Sequence, residues 1–223
     1  MRTKLSAEAL GTALLLYLVV GSGIAAEQLT TDPGLRLFAH AIAVGLGLGA
    51  IIAMLQTLSG AHLNPSVTIA FWRVRAIDSS EAGGYAAAQI VGGIAGIVLA
   101  NRSFGEPGIA LSSTGRDGWG LIIAEAVVTF VLVLVILALV RTGRARGVPV
   151  AVGAWVAAAV FATSSTGFAN PAVTLSRLFT DTYTGIAPGS AAGFVAAQLV
   201  AGVMAALAAL ALYPERETMS ATV

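Results

Sequence analysis

Two short segments carry the residues best suited to act on a solute. Asn64-Pro65-Ser66-Val67-Thr68 and Asn170-Pro171-Ala172-Val173-Thr174 agree at four of five positions and lie 106 residues apart. Asparagine is a preferred helix N-cap, and proline at the first helical position gives up no hydrogen bond, so each motif predicts the start of a short helix. If the side-chain oxygens of Asn64 and Asn170 cap their own helices, both amide NH2 groups are left over as donors. A helix N-terminus also carries about +0.5 of an elementary charge. Two of them facing one point oppose a cation by up to about 4 kcal/mol at about 4 Å and an effective dielectric of about 20. The chemistry implied is hydrogen bonding to neutral hydroxylated molecules, with cations held back and no covalent step.

Nothing else in the chain points to catalysis. There is no cysteine, and the two histidines, His40 and His62, are scattered, so neither a thiolate nucleophile nor a bound metal or cofactor is expected. Twelve Lys and Arg against eleven Asp and Glu give a net charge of +1 with no run of like charge, which argues against a nucleic-acid partner.

The elements that must position the two motifs are membrane spans. Only 10% of the 223 residues are charged, 57% are hydrophobic and the mean hydropathy is +0.88, too few charges to cover a water-facing surface. Six stretches are long enough to cross hydrocarbon: roughly 7–26, 35–58, 84–102, 118–140, 148–166 and 188–213. The first is too long for the apolar core of a signal peptide and carries Glu8, so it reads as a span. Eight Lys and Arg (Arg2, Lys4, Arg73, Arg75, Arg141, Arg144, Arg146, Arg216) fall on the side of the termini. Four (Arg36, Arg102, Arg116, Arg177) fall opposite, which predicts cytoplasmic termini in a cell membrane.

The segments 62–72 and 168–179 are too short to span and too apolar for ordinary loops. Their repetition, with Glu8 echoed by Glu125 and Gln89 by Gln198 at offsets of 117 and 109, predicts a duplication. The repeats are 1–110 and 111–223 within one channel domain, 1–223. Three spans per repeat make the second copy inverted. The Gly- and Ser-rich loop from Ser103 to Asp117 joins them.

Irregular backbone at mid-membrane depth has to line water, so Gly60, Ala61, His62, Thr166, Phe168 and Ala169 are expected to present a ladder of carbonyl acceptors. Glu8 and Glu125 are expected to accept from the unpaired N–H groups of these turns, a structural role rather than a proton relay, and Gln89 and Gln198 to bond between helices. The ring of His62 is expected to pair with Glu8, and His40 to be interfacial. Glycine runs such as Gly92-Gly93-Ile94-Ala95-Gly96 suit close helix packing.

Six spans, an inverted duplication, and the motifs Ser-Gly-Ala-His-Leu-Asn-Pro-Ser-Val-Thr and Ser-Thr-Gly-Phe-Ala-Asn-Pro-Ala-Val-Thr together resemble the major intrinsic protein family, the aquaporins and aquaglyceroporins. The resemblance implies an all-α membrane protein of six spanning helices and two re-entrant half-helices. It implies a homotetramer with one pore per subunit, embedded in membrane lipid and conducting water, glycerol or other uncharged solutes. The central constriction would be Asn64, Pro65, Asn170 and Pro171. Ungapped counting from the asparagines carries the outer selectivity filter onto Val44, Ala158, Gly167 and Val173.

Two departures stand out: Ser66 where alanine is usual, and Val173 where most members carry arginine. A filter without bulk or charge admits solutes larger than water. The segment around Val173 is similar to bacterial members associated with arsenic resistance, which makes neutral arsenite a second expected solute beside glycerol. The rival readings are a water-selective channel, an ion-coupled secondary transporter, a leaky cation channel and an intramembrane enzyme.

Overall fold

The computed structural model describes residues 1–214; Arg216, counted above with the termini, lies outside the described residues. Among them are no strands and eight α-helices: α1 (Arg2–Leu29), α2 (Pro33–Ser59), α3 (Pro65–Arg73), α4 (Ser79–Ser103), α5 (Trp119–Arg141), α6 (Val148–Ala162), α7 (Pro171–Ser176) and α8 (Pro188–Leu212). Six are long and apolar enough to cross a membrane, counting the 3-10 turn Ala145–Gly147 with α6. The short helices α3 and α7 follow the two Asn-Pro motifs, and α7 continues as a 3-10 turn, Arg177–Phe179. Helix starts follow their caps: Asp32 accepts from Leu35 N–H at 2.7 Å and Asp78 from Glu81 N–H at 2.8 Å.

The fifth span is shorter than expected. It ends at Ala162 rather than 166, because Thr163 turns to extended backbone and the chain leaves the helix to enter the interior.

Hydrocarbon supplies no hydrophobic force between helices, so close backbone packing holds them together. A Cβ on Gly92 would lie 2.1 Å from the carbonyl oxygen of Ala9, and one on Gly96 would lie 2.1 Å from that of Ala13; α4 therefore lies directly on α1. Gly45 and Gly153 bring α2 and α6 together in the same way, each Cβ position 2.6 Å from the other residue's carbonyl oxygen.

The half-helices pack across the chain. α3 lies on α8, where Ser66 Oγ donates to the Gln198 carbonyl at 3.0 Å, which gives this serine a physical reason. α7 lies on α4, where Gly93 leaves room for Ser176.

The segments entering α3 and α7 repeat each other in backbone conformation. Gly60, Ala61 and Leu63 have φ of 88°, 48° and 52°; Thr166, Gly167 and Ala169, each 106 residues later, have 59°, 56° and 50°. Glycine fills a different position in each copy, so glycine alone does not impose this path.

Carboxylates do. Glu8 Oε1 accepts from His62 N–H (3.0 Å) and Ser59 Oγ (2.6 Å), while Oε2 accepts from Leu63 N–H and Gln89 Nε2, both at 2.7 Å. Glu125 repeats the pattern with Phe168 N–H (2.9 Å), Ala169 N–H (2.8 Å) and Gln198 Nε2 (2.6 Å). Both glutamates are fully buried.

The loop after α4 lies over the second re-entrant segment: Ser112 N–H donates to the Leu178 carbonyl and Ala187 N–H to the Thr114 carbonyl. Ser113 donates its N–H and its hydroxyl to Asp181, holding that carboxyl below its usual pKa.

Gly92→Val and Gly96→Val are each expected to abolish the monodisperse folded protein in detergent, while Gly83→Ala, with open space around it, keeps the unfolding midpoint. Size-exclusion chromatography and thermal unfolding check both. Glu125→Gln keeps the shape but turns a donor toward one of three donors, a loss of about 1–3 kcal/mol that lowers the unfolding midpoint. An unchanged midpoint would contradict the anchoring role.

Candidate functional site

Asn64 Oδ1 accepts from Ser66 N–H at 2.8 Å, and Asn170 Oδ1 accepts from Ala172 N–H at 2.9 Å and Val173 N–H at 3.3 Å. Each asparagine thus caps its own half-helix. Their NH2 groups are not wholly free: Asn64 Nδ2 donates to the Ala169 carbonyl at 2.8 Å, and Asn170 Nδ2 to the Leu63 carbonyl at 2.7 Å. This reciprocal pair ties the two re-entrant segments together and leaves one amide proton on each asparagine.

Both asparagines line a single cavity of about 370 Å³. One end is bordered by His40 and Arg177, the other by Gln56, Thr57 and Arg146. Its walls differ in chemistry. One is apolar, with Val44, Leu48 and Ile52 of α2 facing Val152, Val156 and Val160 of α6 at four-residue spacing. The other is built from the re-entrant segments: Gly60, Ala61 and His62 on one side of the asparagines, Thr166, Gly167 and Phe168 on the other. Among the described residues no protein donor reaches the carbonyl oxygens of these six. The Ala169 carbonyl, expected in the ladder, is taken up by Asn64, and Gly167 joins the ladder instead.

Of the four positions carried over to the outer filter, Val44, Gly167 and Val173 lie on the cavity wall. Ala158 does not; it is exposed on the outer face of α6, and Val160 takes the outermost cavity position on that helix. Counting back from Asn170 crosses an irregular segment, and an error of two residues turns a helical side chain by about 200°.

The histidines also differ from expectation. The His62 backbone N–H, not its ring, meets Glu8; the ring contacts Thr68 Oγ1 at 3.2 Å and packs between Phe71 and Tyr85. His40 is buried on the cavity wall with its Nδ1 2.8 Å from Ser22 Oγ, rather than interfacial. Gln89 and Gln198 each reach a half-helix threonine, Thr68 or Thr174, as well as a glutamate.

Arg177 is a cavity residue that motif reasoning missed. Its spacing of four from Val173 was a usable signal, because i and i+4 share a helix face. Among the described residues no group of three His, Cys, Asp or Glu side chains gathers to hold a metal ion.

Comparison with known proteins agrees with this geometry. The family model described as Major intrinsic protein matches residues 1–169. The aquaglyceroporin AqpS of Rhizobium meliloti (strain 1021) is 44% identical over 97% of this chain and 93% of its own length. The aquaporin NIP3-1 of Oryza sativa subsp. japonica is 32% identical over 77% of this chain and 57% of its own. The X-ray structure of the aquaglyceroporin from Plasmodium falciparum superposes with a TM-score of 0.75 at 22% identity, covering 92% of this chain and 94% of that one, which shows a shared fold. The chain belongs to the major intrinsic protein family, whose members are passive membrane channels for water and small solutes rather than enzymes.

Proposed function

We propose that the chain passes small neutral hydroxylated solutes, glycerol and trivalent arsenite among them, together with water, and turns cations back at the paired Asn-Pro motifs. The observation that carries this reading is the cavity wall near Val173. Where the family resemblance implies an arginine, Val173 stands with Val44, Val160 and Gly167, four side chains with neither charge nor great bulk. Pore width and wall polarity decide what enters, and a hydroxylated solute finds donors at Asn64 and Asn170 and acceptors along the six free carbonyls. The relative of highest identity reported above is named an aquaglyceroporin, which supports a solute larger than water.

Cation exclusion rests on the N-termini of α3 and α7, which start at Asn64 and Asn170 beside the lumen and add two partial positive charges at one depth. The same reading takes 1–110 and 111–223 as the two inverted repeats and places both termini in the cytoplasm, with the lipid of the cell membrane surrounding a homotetramer. Exposed apolar side chains such as Leu46, Val91, Leu99, Ile123, Val150 and Val200 suit lipid and neighbouring subunits.

Proteoliposomes carrying the chain are expected to pass glycerol and arsenite down their gradients without an ion gradient. Val173→Arg is expected to cut glycerol and arsenite flux by about an order of magnitude while changing osmotic water flux far less. Equal effects on all three, or water flux without glycerol flux in the unaltered protein, would replace this reading with a water-selective one.

A further inference from the structure

The cavity keeps a full positive charge close to Val173. Arg177 is 4% exposed and borders the cavity four residues beyond Val173. One helical turn separates the two, about 6 Å along the axis and on the same face. α7 begins at the central asparagine and runs outward, so Arg177 stands nearer the mouth than Val173.

Its guanidinium is held in place. Nε donates to the Thr184 carbonyl, and the group lies over the Phe168 ring at 3.5 Å from the centroid, with Phe168 edge-on to Phe194 at 5.3 Å. Arg116 approaches the same ring at 5.1 Å, but it donates to the Gly185 and Tyr183 carbonyls and does not border the cavity.

A buried guanidinium is unfavourable unless paired, and no carboxylate forms an ion pair with Arg177 among the described residues. A tie to Thr184 alone could be made by a neutral amide. Arginine has five N–H donors and, among the described residues, only the one at Nε has a protein partner, so those on the two terminal nitrogens remain for whatever fills the cavity.

We propose that Arg177 is the charged member of the outer filter, displaced one helical turn toward the mouth from the position held by Val173. There it donates to hydroxyl oxygens and repels cations before they reach the asparagines. Width and charge are thereby separated: valine leaves room for a glycerol-sized solute while the arginine beyond it keeps the barrier to ions. This rests on the passive-channel reading above.

The test uses proteoliposomes of the full chain assayed for osmotic water flux, glycerol flux and rubidium uptake normalised to water flux. Arg177→Gln keeps an N–H for the Thr184 carbonyl and removes the charge; rubidium uptake is expected to rise about tenfold or more. Arg177→Lys is expected to keep exclusion, and Val173→Arg combined with Arg177→Gln to restore it while lowering glycerol flux.

An Arg177→Gln protein that assembles, passes water and still excludes rubidium overturns the proposal, as does Arg177→Lys leaking as freely as Arg177→Gln. If Arg177→Gln fails to assemble, the double variant decides: exclusion supports the proposal, and a leak or failed assembly overturns it. Unaltered protein that passes water but no glycerol would sink the solute reading while leaving the rubidium comparison intact.

Discussion

Backbone that leaves a helix inside hydrocarbon must find a partner for every N–H and C=O, and this constraint organises the molecule. The two re-entrant segments divide the problem by polarity. Donors are met from behind: Glu8 takes the N–H groups of His62 and Leu63, and Glu125 those of Phe168 and Ala169. Acceptors are left to the lumen. Left-handed residues mixed with ordinary ones gather N–H groups into a concave nest that fits a carboxylate, which turns the carbonyls the other way. Each non-glycine residue in that conformation costs about 1–2 kcal/mol, and a hydrogen bond to a charged group returns about 1.5–3 kcal/mol. The conducting surface is therefore the complement of an anchoring surface.

The reciprocal bonds between Asn64 and the Ala169 carbonyl, and between Asn170 and the Leu63 carbonyl, fix the two segments against each other. They also fix which amide protons remain for a solute. Around this symmetric frame the copies diverge where nothing in the frame depends on identity. His62 packs its ring on Phe71 and Tyr85, while its counterpart Phe168 lies between Arg177 and Phe194. Ser66 ties α3 to α8 through its hydroxyl, whereas Ala172, its counterpart, has none to offer.

The spans, the half-helices and the glutamate anchors were legible in the sequence because each has a local signal: unbroken hydropathy, an Asn-Pro start, or an acid recurring in both halves. What escaped depends on rotation and on tertiary contact. Ala158 and Val160 are both apolar and two residues apart, and only the packing of α6 against α2 tells which one turns inward. The His62 ring could reach either Glu8 or Thr68, and its own backbone N–H had already claimed the carboxylate. The asparagine amides could not be seen to cross between segments, because their acceptors lie more than a hundred residues away. Arg177 lay outside the five-residue motif, so attention to the motif concealed a residue on the same face one turn later.

Polarity confined to one wall has a further consequence for how such a passage distinguishes solutes. The valines of α2 and α6 make no hydrogen bonds to the ladder, so their size can change the width without disturbing a single backbone partner. The ladder cannot vary so freely, because its carbonyl directions follow from the nests that Glu8 and Glu125 occupy. On the proposed function, selection by width resides in side chains that are cheap to exchange, and recognition of hydroxyl groups in backbone that is not. In that proposal a solute is admitted when it fits the first and can replace its lost water with the second, and a cation that satisfies the acceptors is still opposed by the half-helix termini.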